Sequence, residues 1–380
     1  MHAATSRATS SCTLRVMTEL VRVDPRRPGR DEIARAADCL RRGGLVAFPT
    51  ETVYGLGAHA LDRAAVQRLF EAKGRPAGDP LIIHVAALDQ VTALVTGVPE
   101  VARTLAGRFW PGPLTLVLRR AAAVPPEVTA GLDTVAIRIP AHPVARALLE
   151  AAQLPIAAPS ANLFSRPSPT RASHVLDDLD GRIDMILDGG PTTVGVESTV
   201  LDLTTDPPQV LRPGAISLEV LQTLVPGVRM RDRTAAAGAG MVSPGLLPQH
   251  YSPRTPMTLY RGDAASVRAS LLAGVRDALA AGRRVGVLAT SDHAAALRHL
   301  PVVIAELGPA DDAEGIAARL YAALRELDAA QLDVILAHDV PHDEHLWRAV
   351  RDRLHRAAAQ VTDRASDRPE GRGGPAPTPR

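Results

Sequence analysis

Short apolar runs alternate with longer stretches of helical period from about residue 20 to residue 220. The segment DEIARAADCLRRGG, residues 31–44, repeats apolar residues every three or four positions and ends in two glycines, which are typical of a helix end. The runs LVAFPT (45–50), LIIHV (81–85) and TVAIRIP (134–140) lack that period and predict strands. Because several strands follow one another without a helix between them, the pattern predicts a twisted, mixed α/β sheet.

A second alternation begins near residue 257. The runs MTLY, RVGVLAT, PVVIAELG and LDVILAHDV predict strands, and segments such as GIAARLYAALRELDAA predict the helices between them. A regular strand–helix alternation indicates a smaller, Rossmann-like parallel α/β domain.

The stretch between the two alternations, residues 229–256, is rich in Gly, Ala and Pro and has no period. A segment of this length is typical of a linker or of a loop that covers a site. Since a plain linker has no need of His250 beside Tyr251, we expect residues 241–253 to fold over a bound ligand that Tyr251 touches.

These patterns divide the chain into five segments. Residues 1–17 and 362–380 predict disordered ends from their composition. The first domain is predicted over 18–222, a linker that covers the site over 223–256, and the second domain over 257–361.

Composition narrows the class of protein. A hydrophobic fraction of 46% with a net charge of +2 is ordinary for a globular protein, and no apolar run is long enough to cross a membrane. The 2 cysteines, Cys12 and Cys39, make a disulfide framework improbable, which suits a reducing compartment and predicts a cytoplasmic protein. The net charge argues against a general nucleic-acid coat and leaves open a local basic groove.

Lys73 is the only lysine among the 43 basic residues. With Arg75 it flanks a glycine at the end of the predicted helix DRAAVQRLFEAKGR, where cations complement the helix dipole. Arg would serve that purpose equally well, whereas Lys is a compact charge that fits beside a small anion. Both interpretations stay open at this point, and the second makes Lys73 and Arg75 candidate catalytic residues.

Two further patterns resemble known motifs only weakly. GLGAHA, residues 55–60, fits the dinucleotide fingerprint, but it does not directly follow a strand, so we favour a turn that needs glycine conformations. The His and Asp residues of AHDVPHDEHLW near the end of the chain match no strong metal-ligand spacing, so we predict no protein-bound metal.

Hydroxyl, amide and guanidinium groups gather near the ends of predicted strands. FPTETVYGLG and APSANLFSRPSPT follow apolar strands, and TVAIRIP carries Arg138 on one face. Such positions are where α/β sheets place ligands, although turn chemistry explains the loops equally well.

Six ordered segments together resemble the YrdC-type domain of threonylcarbamoyl-AMP synthases. They are FPTETVYGLG, KGRPAGDPLIIHV, VAIRIPAHPVA, APSAN, ESTVLD and VLRPGAI. The segment SPGLLPQHYSP and the second alternation resemble the linker and C-terminal domain of the longer, two-domain form.

The resemblance implies a nucleotidyltransferase that makes L-threonylcarbamoyl-adenylate from L-threonine, bicarbonate and ATP, with release of pyrophosphate. Downstream threonylcarbamoyl-transferase proteins would then modify the tRNA adenosine next to the anticodon. Mg²⁺ would be held by the ATP phosphates and water.

The resemblance also implies roles for particular residues. It implies that Lys73 faces the phosphates or the carbonate, beside Arg75. The implied L-threonine site consists of Thr52, His84, Arg138, Ala158 and Ser198. The implied ATP site consists of Arg75, Asp79, Thr134, Ser160, Ser168, Arg212 and Tyr251.

Two alternatives remain at this stage. The first is a non-catalytic module that binds double-stranded RNA or tRNA. If the protein is instead the enzyme, we expect RNA binding that is weak at most. The basic surface of such a module would use arginines such as Arg41, Arg42, Arg103, Arg108, Arg119 and Arg120. The other, a carbamoyl-adenylate domain of the hydrogenase-maturation kind, would need zinc-finger cysteines that this sequence lacks.

Overall fold

Two sheets, one after the other along the chain, organise the protein. The structure is a computed structural model that describes residues 17–232, 250–340 and 342–362. In these residues the first sheet has eleven strands in the order β1-β8-β2-β3-β7-β4-β6-β5-β9-β10-β11. The strands are β1 (Glu19–Arg22), β2 (Val46–Pro49), β3 (Tyr54–His59), β4 (Ile82–His84), β5 (Leu114–Arg119), β6 (Thr134–Arg138), β7 (Ile156–Ala157), β8 (Met185–Asp188), β9 (Thr199–Asp202), β10 (Gln209–Arg212) and β11 (Arg229–Met230).

The first sheet is mixed, as the sequence predicts. β4 runs parallel to β6, and β5 parallel to β9, whereas β5 and β6 are antiparallel. Its helices are α1 (Arg30–Arg41), α2 (Arg63–Lys73), α3 (Leu88–Val91), α4 (Glu100–Phe109), α5 (Pro143–Ala152), α6 (Ala172–Leu179) and α7 (Leu218–Leu224).

Helix α2 shows how local sequence sets the position of a site residue. The Asp62 side chain caps its start by accepting hydrogen bonds from the backbone N–H groups of Ala64 and Ala65. The helix ends at Gly74, whose φ of 61° is left-handed, a conformation that glycine adopts without steric cost. These two signals place Lys73 at the last helical position, on the buried side of the helix.

The segment GLGAHA does not form the turn that the sequence predicts. It lies in β3, which pairs with β2 on one side and β7 on the other. A Cβ on Gly57 would come within 2.9 Å of side-chain carbons of Ile156 and of Phe48. The glycine is therefore needed for close packing between strands rather than for an unusual φ.

The second sheet is entirely parallel, as predicted. Its strands lie in the order β14-β13-β15-β12-β16. They are β12 (Met257–Tyr260), β13 (Val285–Ala289), β14 (Val303–Glu306), β15 (Val334–His338) and β16 (Gln360–Thr362), and the helices are α8 (Ala264–Ala280), α9 (Ser291–Leu297), α10 (Ala313–Ala329) and α11 (His345–Ala357). Within the described ranges, no helix is both long and apolar enough to cross a membrane.

The first sheet extends further along the chain than the predicted domain boundary at residue 222. Helix α7 runs across that position, and β11 pairs with β10 inside the segment predicted as a linker. At the other end, β16 includes Thr362, one residue beyond the predicted second domain. Residues 241–249 of the predicted covering loop lie outside the described residues.

The two domains share a hydrophobic core. Val53 and Val196 of the first domain pack with Leu320 and Tyr321 of α10. Gly195 has a φ of +80°, and a Cβ there would lie 2.3 Å from the backbone oxygen of Ala317. A residue without a side chain is thus required for the approach of α10 to the first domain.

Candidate active site

A cavity lies where strands β2, β4, β6, β7 and β10 of the first sheet end, and it opens to solvent, with about 500 Å³ of empty space when the solvent at its mouth is included. Polar loops follow these strands, and the side chains at their ends converge on the cavity. It is lined by Thr50, Thr52, Val53, Gly55, Arg75, Ile82, His84, Arg138, Ala158, Pro159, Ser160, Glu197, Ser198, Arg212 and Tyr251.

Arg138, at the end of β6, is fixed by three neighbours. It forms an ion pair with Glu51 at 2.7 Å, and it donates to the Thr52 hydroxyl at 3.0 Å and to the Gly112 carbonyl at 3.1 Å. The Thr50 hydroxyl, 2.8 Å from that of Thr52, completes a buried polar cluster. A guanidinium held in this way is ready to bind a carboxylate through its remaining donors.

His84 lies beside Arg138, because β4 and β6 pair in a register that sets these two residues opposite each other. Burial, with a smaller contribution from the charge of Arg138, lowers the pKa of His84 to about 3. The imidazole is therefore neutral near pH 7. Its Nδ1 is buried and meets no hydrogen-bonding partner in the part of the chain that the structure describes, which is typical of a group that binds a ligand.

Ser198 and Arg212 form a second polar cluster in the cavity lining. Arg212 donates to the Ser198 carbonyl and to its hydroxyl, both at 3.1 Å. The Ser198 hydroxyl also lies 2.8 Å from that of Thr115 on β5. The strand pairing of β5 with β9 and of β9 with β10 brings these three residues together.

Arg75 is neutralised in part by Asp79. The two side chains form an ion pair at 2.8 Å, and both are almost fully buried. Burial raises the pKa of the Asp79 carboxyl, and the charge of Arg75 opposes that rise. Asp79 is not among the cavity-lining residues, so it acts on the cavity through Arg75.

Lys73 is only 1% exposed and does not line the cavity. Its Nζ donates to the backbone carbonyls of Ser160 and Asn162, each at 2.5 Å. Burial, together with the charge of Arg75, lowers the pKa of the ammonium well below its usual value. The structure therefore gives Lys73 a contact that positions the Ser160 loop, and direct contact with phosphate or carbonate stays a prediction.

Glu197 lines the cavity but was not identified as a site residue from the sequence. Its carboxylate accepts hydrogen bonds from the Ser168 hydroxyl at 2.5 Å and, across the domain boundary, from Arg353 Nε at 2.9 Å. Burial would raise its pKa, but the charges of Arg353 and Arg212 lower it to about 2. Glu197 directly precedes Ser198 in ESTVLD, and this position next to a predicted site residue could have identified it from the sequence.

The position of Tyr251 also depends on contacts with both domains. Its φ of 63° is uncommon for a residue with a side chain. The backbone N–H groups on either side hold it, since His250 donates to the Arg356 carbonyl and Ser252 to the Ser165 carbonyl. The ring lies 5.5 Å from that of Tyr321 and under the guanidinium of Arg353 at 5.4 Å.

Most of the residues predicted for the two substrate sites surround this single cavity. Those that line it are Thr52, Arg75, His84, Arg138, Ala158, Ser160, Ser198, Arg212 and Tyr251. Ser168, like Asp79 and Lys73, lies one contact behind the lining, where it donates to Glu197. Thr134 is half-buried at the start of β6, at the opposite end of the strand from Arg138, and is outside the lining.

The His and Asp residues near the end of the chain are engaged with each other and with neighbouring side chains. The His338 ring stacks on that of His293, and Asp339 contacts Arg351 and His355. Among the residues that the structure describes, no three His, Cys, Asp or Glu side chains are placed to hold a metal ion.

The chemistry of the cavity is that of a site for anions and a small polar molecule. Arg75, Arg138 and Arg212 line it, and Glu197 is the sole lining carboxylate within the described ranges. Hydroxyls and a neutral imidazole complete the polar lining. Such a set suits several phosphates beside a carboxylate and contains no nucleophile–base pair of the type that covalent catalysis requires.

The mixed sheet, its arginine-lined cavity and the second domain define a YrdC-like protein of the two-domain kind. Residues 38–214 match the family described as telomere recombination, which groups Sua5, YciO and YrdC proteins. Residues 216–359 match the threonylcarbamoyl-AMP synthase C-terminal domain.

Similar proteins cover most of the chain. The threonylcarbamoyl-AMP synthase of Pyrococcus abyssi is 46% identical over 86% of this chain and 94% of its own length. That of Bacillus subtilis is 45% identical over 86% and 93%. The crystal structure of P. abyssi Sua5 complexed with L-threonine superposes with a TM-score of 0.85 at 44% identity, and covers 91% of this chain and 99% of that one. The chain therefore belongs to the threonylcarbamoyl-AMP synthase family.

Proposed function

We propose that this protein synthesises L-threonylcarbamoyl-adenylate from L-threonine, bicarbonate and ATP, and releases pyrophosphate. The observation that carries the proposal is the single cavity where Arg75 and Arg212 lie near Arg138 and the neutral His84. The solved relative from P. abyssi, which was crystallised with L-threonine, supports the amino-acid part.

In this proposal the wall that contains Arg138 binds L-threonine. Its guanidinium binds the carboxylate, and the Thr52 hydroxyl, which already accepts from Arg138 at 3.0 Å, helps to orient it. The unpartnered Nδ1 of His84 meets a polar group of the amino acid. Ala158 and Ser198 complete this part of the cavity.

The nucleotide occupies the part of the cavity near Arg75, Ser160, Arg212 and Tyr251. The two arginines neutralise the phosphates, and Asp79 and Ser168 act through their contacts with Arg75 and Glu197. Thr134 remains a predicted residue of the ATP site. A direct contact of Lys73 with the phosphates or the carbonate also remains a prediction.

The reaction needs positioning and charge neutralisation. The threonine amine attacks bicarbonate, and loss of water gives the carbamate. A carbamate oxygen then attacks the α-phosphorus in line, the bond to the β-phosphate oxygen breaks, and pyrophosphate leaves. The arginines stabilise the charge that develops on the phosphate oxygens, and the walls of the cavity hold the reactants together.

Mg²⁺ fits this site as an ion held by the nucleotide. The carboxylates of Glu197 and Asp79 already face arginines, so the cavity offers phosphate-binding groups rather than a carboxylate cage. Mg²⁺ bound to phosphate oxygens and water would neutralise charge on the leaving pyrophosphate.

The rest of the proposal concerns the fate of the product. Threonylcarbamoyl-transferase proteins would move the group to tRNA, in the cytoplasm. The non-catalytic RNA-binding alternative is not favoured, because it gives no role to the cavity that Arg75, Arg138 and Arg212 line. One arginine of the supposed basic surface, Arg120, instead donates to the carbonyls of Leu132 and Val124.

The test is mass spectrometry of the products that purified protein forms from ATP, bicarbonate and L-threonine, with L-serine as the control substrate. We expect threonylcarbamoyl-adenylate and pyrophosphate from the wild type. Arg138→Lys should raise the KM for threonine by about tenfold or more, because Lys cannot reproduce the guanidinium geometry. Arg146→Lys, the same exchange at a partly exposed ion pair on α5, should leave the KM unchanged. Salt-dependent RNA binding without product formation would refute the proposal.

A further inference from the structure

Arg353, on helix α11 of the second domain, is fully buried against the first domain. Its Nε donates to Glu197 at 2.9 Å, and its Nη1 donates to the Pro213 carbonyl at 3.0 Å. Its guanidinium lies 5.4 Å from the centre of the Tyr251 ring. One side chain from the second domain thus contacts three separate segments at the cavity.

Each of these contacts adjoins a residue of the cavity wall. Glu197 lines the cavity and precedes Ser198, Pro213 follows Arg212, and Tyr251 lines the cavity itself. Ser198 and Arg212 are in turn joined by two hydrogen bonds of 3.1 Å. Movement of the Arg353 guanidinium would therefore shift the backbone that sets Arg212 in place.

Tyr321, on helix α10, strengthens the same connection. Its hydroxyl lies 3.0 Å from Oε2 and 3.1 Å from Oε1 of Glu197, and its ring packs against Tyr251. The close approach of α10 at Gly195, two residues before Glu197, fixes the distance between the domains at this point. On the side of the second domain, these contacts come from two helices, α10 and α11, rather than from loops.

We propose that Arg353, supported by Tyr321, is a positioning residue for ATP binding, through which the second domain holds Arg212 and Tyr251 in their nucleotide-binding geometry. This inference rests on the proposed function. It assigns to the second domain a part in the reaction, although neither Arg353 nor Tyr321 lines the cavity.

Substitution of Arg353 by Lys distinguishes the effect of side-chain geometry from that of charge. An ammonium keeps the positive charge near Glu197 but loses the planar fork that reaches Glu197 and Pro213 together, and it stacks less well on Tyr251. The pair with Glu197 is buried, so a poorly satisfied carboxylate would be left at the cavity wall.

The experiment measures the steady-state KM for ATP and kcat for threonylcarbamoyl-adenylate formation in full-length variants, with the melting temperature of each. We expect Arg353→Lys to raise the KM for ATP by about tenfold, which corresponds to about 1.4 kcal/mol, and Tyr321→Phe to raise it by about threefold. Arg348→Lys is the matched control. Arg348 lies on the same helix and pairs with Glu219 of α7 at 3.0 Å, away from the cavity, and its KM should stay within about twofold of wild type.

A purely structural role would lower the active fraction, and with it the apparent kcat, and leave the KM for ATP unchanged. That result in Arg353→Lys overturns the inference, as does an equal rise in KM in Arg348→Lys. If Arg353→Lys does not fold, Tyr321→Phe decides, because it removes one hydroxyl without a change of shape. An unchanged KM in that variant also overturns it. If the wild type makes no product from these substrates, the proposed function fails instead.

Discussion

Arg353 of the second domain differs from Arg75 and Arg212 of the first domain in how its neighbours compensate for burial. In the first domain, burial lowers the pKa of Arg75 and of Arg212, and the acids around them compensate only in part. In the second domain, burial also opposes the charge of Arg353, but its interactions with Tyr251 and Glu197 raise the pKa above the usual value. The neighbours of Arg75 and Arg212 therefore offset the effect of burial only in part, whereas those of Arg353 offset it fully.

The difference teaches where an anion would bind. A buried cation whose charge is not fully matched gains most from a phosphate or a carboxylate, while a matched cation gains little. Arg212, at the end of β10, and Arg75, just beyond the end of α2, are of the first kind. Arg353, on α11 of the second domain, is of the second kind, and it contacts Glu197 and Pro213 of the first domain.

The largest expected effect comes from removal of the second domain. A chain that ends at residue 232 keeps β11 but loses Tyr251, Tyr321 and Arg353. We expect threonylcarbamoyl-adenylate formation to fall by about a hundredfold or more, or about 2.7 kcal/mol in the activation barrier. Product formation would be measured by mass spectrometry, and circular dichroism would verify that the first sheet remains folded. A folded, truncated chain with the rate of the full-length protein would show that Arg353 does not serve the cavity.

The second effect concerns the stability of the second domain against acid. Burial, with a contribution from His293, lowers the pKa of His338 to about 4. The unfolded chain takes up a proton near pH 6.5, while the folded His338 stays neutral, so stability is present above pH 6.5 and is lost as the pH falls towards 4. At pH 5, this shift in the pKa of His338 should lower the free energy of unfolding by about 2 kcal/mol relative to pH 7.

Trp347 in helix α11 and Trp110 in the first domain allow the domains to be followed separately. Denaturant unfolding of a Trp110→Phe background, monitored by Trp347 fluorescence at pH 7 and pH 5, measures the loss. In His338→Gln the difference between the two pH values should shrink by about 2 kcal/mol. An equal pH dependence with and without His338 would contradict the assignment.

The smallest expected effect is that of Lys73→Arg. The Nζ of Lys73 lies 2.5 Å from two backbone carbonyls in a fully buried position, where a wider guanidinium has no room without moving the Ser160 loop. We expect kcat/KM for ATP to fall by about tenfold, or about 1.4 kcal/mol. Arg68→Lys, on the exposed face of the same helix, exchanges the same two residue types and should have no effect. Full activity of Lys73→Arg would show that the single lysine is an accident of composition.

Much of this site could be predicted from the sequence because its residues follow strands that the hydrophobic pattern identifies. Thr52, His84 and Arg138 each lie at or just beyond the end of an apolar run, and strand pairing brings them together. The close packing of Gly57 could not be predicted, since it depends on the pairing of β3 with β7, which brings Ile156 from a distant part of the chain. The importance of Glu197 was missed for the same reason, because its partner Arg353 is 156 positions away.

The roles of Lys73 and Asp79 show a further limit. Composition singled out the lysine, but only the packing shows that its ammonium lies behind the cavity wall, against two carbonyls. Asp79 likewise meets Arg75 four residues before it, an ion pair that spacing allows but does not require. A pattern identifies which residues are unusual, and the tertiary structure decides which of them reach the ligand.

The contact between Glu197 and Arg353 has a consequence for the order of events during synthesis. A ribosome completes the first sheet well before helix α11 emerges, so until then the carboxylate of Glu197 has no guanidinium beside it. At that stage the lining residue Glu197 lacks its contact from the second domain. With the role proposed for Arg353, the chain would bind ATP well only after helix α11 has been made.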